Sequence, residues 1–159
     1  MVRVATVGDV HCGKGSQGTL QPIFAAAAEL ADVLVLCGDL TDYGLPEEAE
    51  LLIGELKAAA RLPVVAVLGN HDYESGQAEA VAELLRAAGV SVLDGDSCEV
   101  EGVGFAGIKG FGGGFGRGTL GFWGEPAIKA FVQEAIDESL KLEQALARLR
   151  TERRVAVLH

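Results

Sequence analysis

The sequence predicts an α/β fold with a parallel or mixed sheet flanked by helices, and three observations support this prediction. Short apolar runs recur in the first half of the chain, at residues 2–7, 33–37 and 63–68. Segments with helical character alternate with them. The runs are continuously apolar, which is typical of strands buried on both faces of a parallel sheet. We therefore expect right-handed crossovers and helices on both faces of the sheet.

Three helices follow these strands in the predicted order. The first spans residues 19–31, with Thr19 as a candidate N-cap and an alanine tetrad that favours helix. The second begins at Pro46, whose fixed φ suits a first helical turn, and ends near Arg61. The third spans residues 77–88 and has an apolar face.

The pattern changes in the second half of the chain. Short runs at residues 90–93, 98–100 and 103–108 are separated by turn-like segments and predict an antiparallel element. Residues 110–124 are dense in glycine and predict a loop. Pro126 begins a long amphipathic helix to about Arg150, and a buried final strand runs from Arg154 to His159. We expect one domain over residues 1–159.

Composition limits the classes of function. Acidic residues outnumber basic ones by 23 to 13, for a formal charge of −10, which argues against binding nucleic acid through its phosphates. The three cysteines, Cys12, Cys37 and Cys98, are widely spaced and suggest no disulfide framework, so we expect a reduced, cytoplasmic protein. No apolar run has the length of a signal peptide core or a membrane span, so we expect neither export nor membrane insertion.

Side chains that bind hard metal ions follow four of the predicted strands. Ligand sites of open parallel sheets lie beyond the carboxyl ends of the strands, so one sheet edge is expected to collect them. Carboxylates, a carboxamide and imidazoles suit manganese, iron or zinc. Two such ions held ~3.5–4 Å apart can share a hydroxide and can stabilise both the attacking and the leaving oxygen of a phosphoryl displacement. Asp39, on the strand expected between its neighbours, is the candidate bridging ligand.

Three ordered motifs carry a resemblance to a known family. They are Gly-Asp-Val-His at residues 8–11, Gly-Asp-Leu-Thr-Asp at residues 38–42 and Gly-Asn-His-Asp at residues 69–72. Together they resemble the leading motifs of the calcineurin-like metallophosphoesterases. The final strand, which ends in His159, is similar to the family's next motif. The resemblance implies that family's fold and a phosphoesterase with a dinuclear metal centre and a metal-bridging hydroxide nucleophile.

Carried over by position, the resemblance implies roles for seven residues. Five are metal ligands: Asp9 and His11 on the first ion, Asp39 bridging, and Asn70 with His159 on the second. His71 is implied to be the general acid for the leaving oxygen, and Asp42 is implied to orient it and hold it protonated. Cys12 is expected to be a neutral neighbour of the site.

The sequence departs from the family pattern after His159. A later Gly-His-X-His motif supplies each metal with one further ligand in the family, and it has no counterpart here. We therefore expect the domain to lack its C-terminal part and its second sheet to be incomplete. Weak metal binding, poor hydrolysis unless another chain completes the site, and self-association through an exposed sheet edge are the expected consequences.

The glycine-rich segment has two interpretations. It is either a connector, which glycine density favours, or a substrate loop in which Lys109, Arg117 and aromatic rings contact a phosphate and its organic group. The substrate itself is expected to be a small phosphomonoester or phosphodiester.

Two rival functions compete with the phosphoesterase. Residues 8–14 nearly match the Gly-x4-Gly-Lys-Ser/Thr loop that binds nucleotides, but Gly15 stands where a hydroxyl should hold magnesium. A protein-interaction scaffold that shares the fold but holds little metal is the other alternative, because fold alone does not determine function. The presence of Asp9, His11, Asp39, Asn70 and His71 argues against the scaffold.

Overall fold

Two β-sheets and four α-helices form the fold in a computed structural model that describes residues 1–159. In chain order the elements are β1 (Val4–Val7), α1 (Gln21–Leu30), β2 (Val33–Cys37), α2 (Pro46–Leu56), β3 (Val64–Val67), α3 (Ala78–Ala87), β4 (Val90–Val92), β5 (Asp96–Val100), β6 (Val103–Gly107), α4 (Pro126–Arg148) and β7 (Arg153–Val157). Short 3-10 helices occupy Lys57–Ala59, His71–Tyr73 and Gly116–Gly118.

The first sheet is entirely parallel and has the strand order β1-β2-β3-β4. Its alternation with α1, α2 and α3 confirms the predicted strand–helix pattern, and β2 lies between β1 and β3 as expected. The prediction for β4 was wrong, because Val90–Val92 pairs in parallel with β3 and does not begin the antiparallel element. Its three residues are too few for any pattern to indicate a pairing direction.

Helices cover only one face of the first sheet. Leu34 and Leu36 of β2 point into a core shared with Phe24 of α1 and Leu52 of α2. Val33 and Val35 alternate to the opposite face and join a second core. The expectation of helices on both faces was wrong, because that second core is closed by the other sheet. A continuously apolar strand indicates burial on both faces but does not reveal what covers each one.

The second sheet has the order β5-β6-β7, with β5 antiparallel and β7 parallel to β6. Phe105 of β6 and Val157 of β7 pack against the first sheet. His159 therefore follows a strand of the second sheet, which corrects the expectation that one sheet edge collects every candidate ligand. β7 is at the edge of its sheet and is largely exposed, so the prediction of a buried final strand was also wrong.

The N-terminus of α1 is capped by another helix. Thr19, the predicted cap, donates its hydroxyl hydrogen bond to the carbonyl of Ser16, and the helix begins at Gln21. The buried Glu55 carboxylate of α2 accepts the backbone N–H groups of Gly18, Leu20 and Gln21, at 2.6, 3.0 and 3.2 Å. These bonds satisfy donors that a helix start leaves unpaired. They also lower the pKa of Glu55, chiefly through the bond from Gly18.

Helix α4 packs on the outer face of the second sheet through Ala145 and through Leu149, the residue that follows the helix, next to Ala106 of β6. This confirms the predicted long helix packed on a sheet. The molecule thus has four layers: α1–α3, the first sheet, the second sheet and α4. None of the helices is both long and apolar enough to cross a membrane.

Candidate metal centre

The candidate site lies where the segments after β1, β2, β3 and β7 meet. The backbone of the segment after β1 continues to pair with the segment after β2: Asp9 N–H donates to Gly38 O, His11 N–H to Asp39 O and Cys12 N–H to Leu40 O. The two segments are therefore locked together beyond the strand ends, and their side chains are brought to one place. The strand ends of the two sheets together bring all seven predicted site residues to this region or its rim.

Three of the predicted ligands have an unusual backbone conformation. The φ angles of Asp9, His11 and Asp39 are +54°, +43° and +47°, in the left-handed region that residues with a Cβ seldom adopt. In the whole chain only Glu101 shares this feature among non-glycine residues. Concentrated backbone strain of this kind is typical of functional sites, where surrounding bonds hold it in place.

Asp39 is at the centre of the site. Its Oδ1 accepts the backbone N–H of His71 at 2.9 Å, which fixes the carboxylate and leaves Oδ2 for other contacts. Oδ2 lies 3.7 Å from Nε2 of His11 and 3.3 Å from Nε2 of His159. The carboxylate is almost completely buried. One oxygen atom therefore faces imidazoles from both sheets.

The hydrogen bonds of His159 define which ring nitrogen has a lone pair available for a metal ion. Its Nδ1 lies 2.9 Å from the carbonyl oxygen of Cys37, which only accepts, so Nδ1 carries the hydrogen. In the neutral ring Nε2 then presents a lone pair. That atom lies 3.2 Å from Oδ1 of Asn70 as well as close to Asp39 Oδ2. Three acceptor atoms converge, an arrangement that a bound cation would satisfy.

Gly38 makes room for this histidine. Its φ is +83°, and a Cβ at this position would lie 2.5 Å from Cβ and Cγ of His159. Any larger residue at position 38 would displace the imidazole from Asp39.

His71 and His11 form the other half of the site. Their rings meet edge to face, with centroids 4.5 Å apart. Nδ1 of His71 lies 2.8 Å from the backbone carbonyl of Asp42, which raises the pKa of His71 above its ordinary value because the carbonyl accepts from the protonated ring. The carboxylate of Asp42 points elsewhere: its Oδ1 is 3.8 Å from Nδ1 of His11. Asp42 therefore contacts His71 through its backbone.

Candidate ligand atoms fall into two groups that share Asp39. Asp9, Asp39 and His159 form one group, and His11, Asp39 and His71 form the other, with the atoms of each group within 4.8 Å of one another. The shared carboxylate is consistent with the predicted bridge. The grouping differs from the expected ligand sets, because Asp9 lies with His159 and not with His11, and His71 lies among the ligands. Mixed oxygen and nitrogen donors of this kind fit manganese, iron or zinc.

Asp72 belongs to one of the sequence motifs but had no predicted role. Its carboxylate is fully buried and accepts hydrogen bonds from the backbone N–H groups of Leu40, Thr41 and Gly69 and from the Thr41 hydroxyl. It therefore ties the segment after β2 to the segment after β3. Its place in the Gly-Asn-His-Asp motif is the sequence signal that could have pointed to it.

Gly69 is required by the approach of Asp39. A Cβ at position 69 would overlap the backbone nitrogen and Oδ1 of Asp39. Only glycine lets the segment after β3 pass this close to the central carboxylate.

The glycine-rich segment is divided between the site and the solvent. Lys109, Gly110 and Phe111 line a cavity that also includes Asn70 and His159. Phe115 is 96% exposed, and Arg117 is exposed as well. Of the residues considered for a substrate loop, Lys109 and Phe111 are thus beside the site and Arg117 is not among the cavity residues.

Similarity to known proteins extends over most of the chain. A sequence model of the calcineurin-like phosphoesterase family matches residues 2–143. A Danio rerio protein named "Transmembrane protein with metallophosphoesterase domain" is 33% identical over 103 residues, covering 62% of this chain but only 23% of that protein. The crystal structure of the protein TT1561 of Thermus thermophilus superposes with a TM-score of 0.57 at 15% identity, over 100% of this chain and 68% of that one, which indicates a shared fold.

Proposed function

Because the chain belongs to the calcineurin-like phosphoesterase family, we propose that it is a metal-dependent hydrolase of phosphomonoesters or small phosphodiesters with a two-metal centre. The observation that carries this proposal is the position of Asp39, whose carboxylate is common to two groups of candidate ligands. A single shared carboxylate is what two adjacent ions need between them.

The chain's own donors fit this role. Asp9, Asn70 and His159 would hold one ion and His11 the other, with Asp39 shared between them. The place of Asp9 follows the geometry and differs from the set expected from sequence. His71, which lies in the second group of candidate ligands, is kept in the acid role that the sequence predicts. When bound, manganese, iron or zinc would supply Lewis acidity and an activated water for in-line displacement at phosphorus. The hydrogen bond from His159 Nδ1 to Cys37 keeps Nε2 available as a donor atom.

His71 is proposed as the general acid. Its Nδ1–H donates to the backbone carbonyl of Asp42, which fixes the ring plane. The proton on Nε2 of the imidazolium is then the one available for the departing alkoxide oxygen. Asp42 positions His71 through its main chain, so an Asp42→Asn change should disturb this contact less than a change at His71.

The two rival functions lose support. The Gly-Lys pair at residues 13 and 14 does not begin a helix, as a nucleotide-binding loop requires, because α1 starts only at Gln21. A scaffold that holds little metal would have no need for strained ligands gathered around one buried carboxylate.

Hydrolysis of bis-p-nitrophenyl phosphate by the intact natural protein tests the proposal. We expect p-nitrophenol release that depends on added Mn²⁺ and is lost in Asp39→Asn. Glu83→Gln, an exposed change on α3, serves as the control and should retain wild-type rates. No release with Mn²⁺, Fe²⁺ or Zn²⁺, or equal rates in wild type and Asp39→Asn, would contradict the proposal.

We also propose a reducing, cytoplasmic location, supported by three free thiols at Cys12, Cys37 and Cys98. Fractionation of cells expressing the natural protein checks this. Recovery in a secreted or membrane fraction would contradict it.

A further inference from the structure

A cavity of about 560 Å³ opens directly beside the candidate metal centre. Asn70 and His159, two proposed ligands, form its inner wall, and Tyr73, Lys109, Phe111 and Phe131 form much of the remainder. Cavities that hold small organic ligands have about 300–1,000 Å³. A phosphoester bound at the metal centre would therefore have its organic part within reach of this space.

Aromatic rings dominate the outer wall of the cavity. Phe111, in the glycine-rich segment, meets Phe131 of α4 edge to face, with centroids 4.8 Å apart and planes at 61°. Phe111 remains 40% exposed and Phe131 44% exposed, so both rings retain free surface. Because the two phenylalanines meet edge to face, they do not stack face to face on each other. A flat ring that enters the cavity could stack on the exposed face of a phenylalanine.

Polar groups lie beside these rings. Lys109 Nζ lies 5.0 Å from the Phe111 centroid and 5.7 Å from the Tyr73 centroid. The same ammonium donates to the Glu134 carboxylate at 3.0 Å, so the wall carries a donor and an acceptor with little net charge. An alkyl chain would desolvate this ion pair without compensation, whereas the heteroatoms at the edge of an aromatic base can bond to both groups.

The cavity wall is attached to the metal centre by its backbone. His159 N–H donates to the carbonyl of Lys109 at 3.1 Å, and Gly110 N–H donates to Oε2 of Glu138 at 3.0 Å. Glu138 is 2% exposed and its other oxygen accepts from Lys141 at 2.7 Å. Helix α4 therefore holds Lys109 and Phe111 in a fixed position relative to His159.

We propose that this cavity binds a planar, nitrogen-containing aromatic group of the substrate, so that the natural substrates are phosphoesters bearing a nucleobase or a similar ring. The proposal rests on the phosphoesterase function and defines its substrate class. Phe111 contacts a face of the ring, and Lys109 and Glu134 contact the ring edge.

Two ligands that differ only in the base test this inference. Adenosine 5′-phosphate and ribose 5-phosphate share the phosphate and sugar, and calorimetric titration in the presence of Mn²⁺ measures their binding without requiring turnover. We expect adenosine 5′-phosphate to bind the wild-type protein at least about tenfold more tightly, from the effect of stacking one base on an aromatic side chain.

Substitutions in the same segment then locate the effect. Phe111→Ala should reduce the preference for adenosine 5′-phosphate to about twofold or less and leave the Kd of ribose 5-phosphate unchanged. Phe115→Ala is the matched control, since this ring is fully in solvent and outside the cavity, and it should preserve the tenfold preference. Far-ultraviolet circular dichroism confirms that both variants are folded.

Each outcome has a distinct meaning. Equal affinity of wild type for the two ligands, or a preference that survives Phe111→Ala, or an equal loss in Phe115→Ala, would overturn the inference. Hydrolysis of bis-p-nitrophenyl phosphate by the intact natural protein tests the phosphoesterase function separately. Hydrolysis without a base preference would refute the aromatic cavity alone, and a Phe111-dependent preference without hydrolysis would refute the hydrolase while supporting the cavity.

Discussion

Nε2 of His159 lies 3.3 Å from Oδ2 of Asp39, although Asp39 follows one of the two inner strands of the first sheet and His159 follows an edge strand of the second. The candidate centre therefore depends on the packing of the two sheets against each other. Residues such as Val35 and Phe105, which form the core between the sheets, are structural determinants of the site without being close to its chemistry.

Removal of the shared carboxylate should affect both ions. In the intact natural protein, Asp39→Asn keeps the shape and the acceptor for His71 N–H but removes the charge, so we expect that protein to lose all bound Mn²⁺. Asp9→Asn should lose only one ion, because Asp9 belongs to one ligand group. Metal content after Mn²⁺ loading and gel filtration, measured by mass spectrometry, compares the variants. Retention of one ion by Asp39→Asn would contradict the bridge.

Substitution of His71 should affect the reaction in a manner that depends on the leaving group. We expect His71→Gln to lower kcat by about 10²–10³ for an alkyl phosphoester, whose alkoxide needs a proton. The loss should be about tenfold or less for a p-nitrophenyl ester, since p-nitrophenolate leaves without one. Metal content should be unchanged. A fall in bound metal would instead identify His71 as a ligand, a role that its proximity to His11 and Asp39 permits.

Two glycine-to-alanine changes should have opposite effects on stability. In Gly69→Ala the added methyl group overlaps Asp39, and overpacking of this kind costs about 1–3 kcal/mol. Gly54→Ala, within α2, has no atom within 4 Å of the new Cβ and should stabilise the protein by about 0.5–1 kcal/mol through helix propensity. Urea unfolding without metal measures both. Equal effects of the two changes would show that Asp39 does not limit position 69.

Acid should remove the contribution of Glu55. Its pKa is lowered in the folded state by the bonds from Gly18, Leu20 and Gln21, so its stabilisation is complete above the unfolded-state pKa of about 4.3 and disappears as pH falls through the folded-state value. The urea midpoint of Glu55→Gln should be below that of wild type at pH 7, and the gap should narrow below about pH 4. Glu143→Gln, an exposed control, should show no gap at either pH. A constant gap would indicate that charge is not involved.

Much of the fold and site follows from local patterns. Parallel strands such as β2 combine continuous apolar character with a polar residue at the carboxyl end, and both signals lie within a few residues of sequence. This is why Asp39 and His71 could be identified as neighbours. Family resemblance supplied the possible roles.

The remaining features depend on contacts between distant segments. Nothing near Thr19 indicates that Glu55, on another helix, caps α1. The grouping of Asp9 with His159 depends on how the second sheet packs, which no periodicity encodes. The aromatic cavity likewise requires α4 to bring Phe131 to Phe111.

The left-handed backbone of Asp9, His11 and Asp39 sets the stability of the fold against the supply of metal ligands. Each such residue costs about 1–2 kcal/mol relative to glycine, which adopts the same angles freely. Replacing Asp9 or His11 with glycine should therefore produce a more stable protein that has lost a donor atom, whereas at Asp39 the loss of the bond from His71 N–H offsets the gain. A library of variants screened only for heat resistance would discard the side chains of Asp9 and His11 first, and the most stable survivors would be the least able to hold a metal ion.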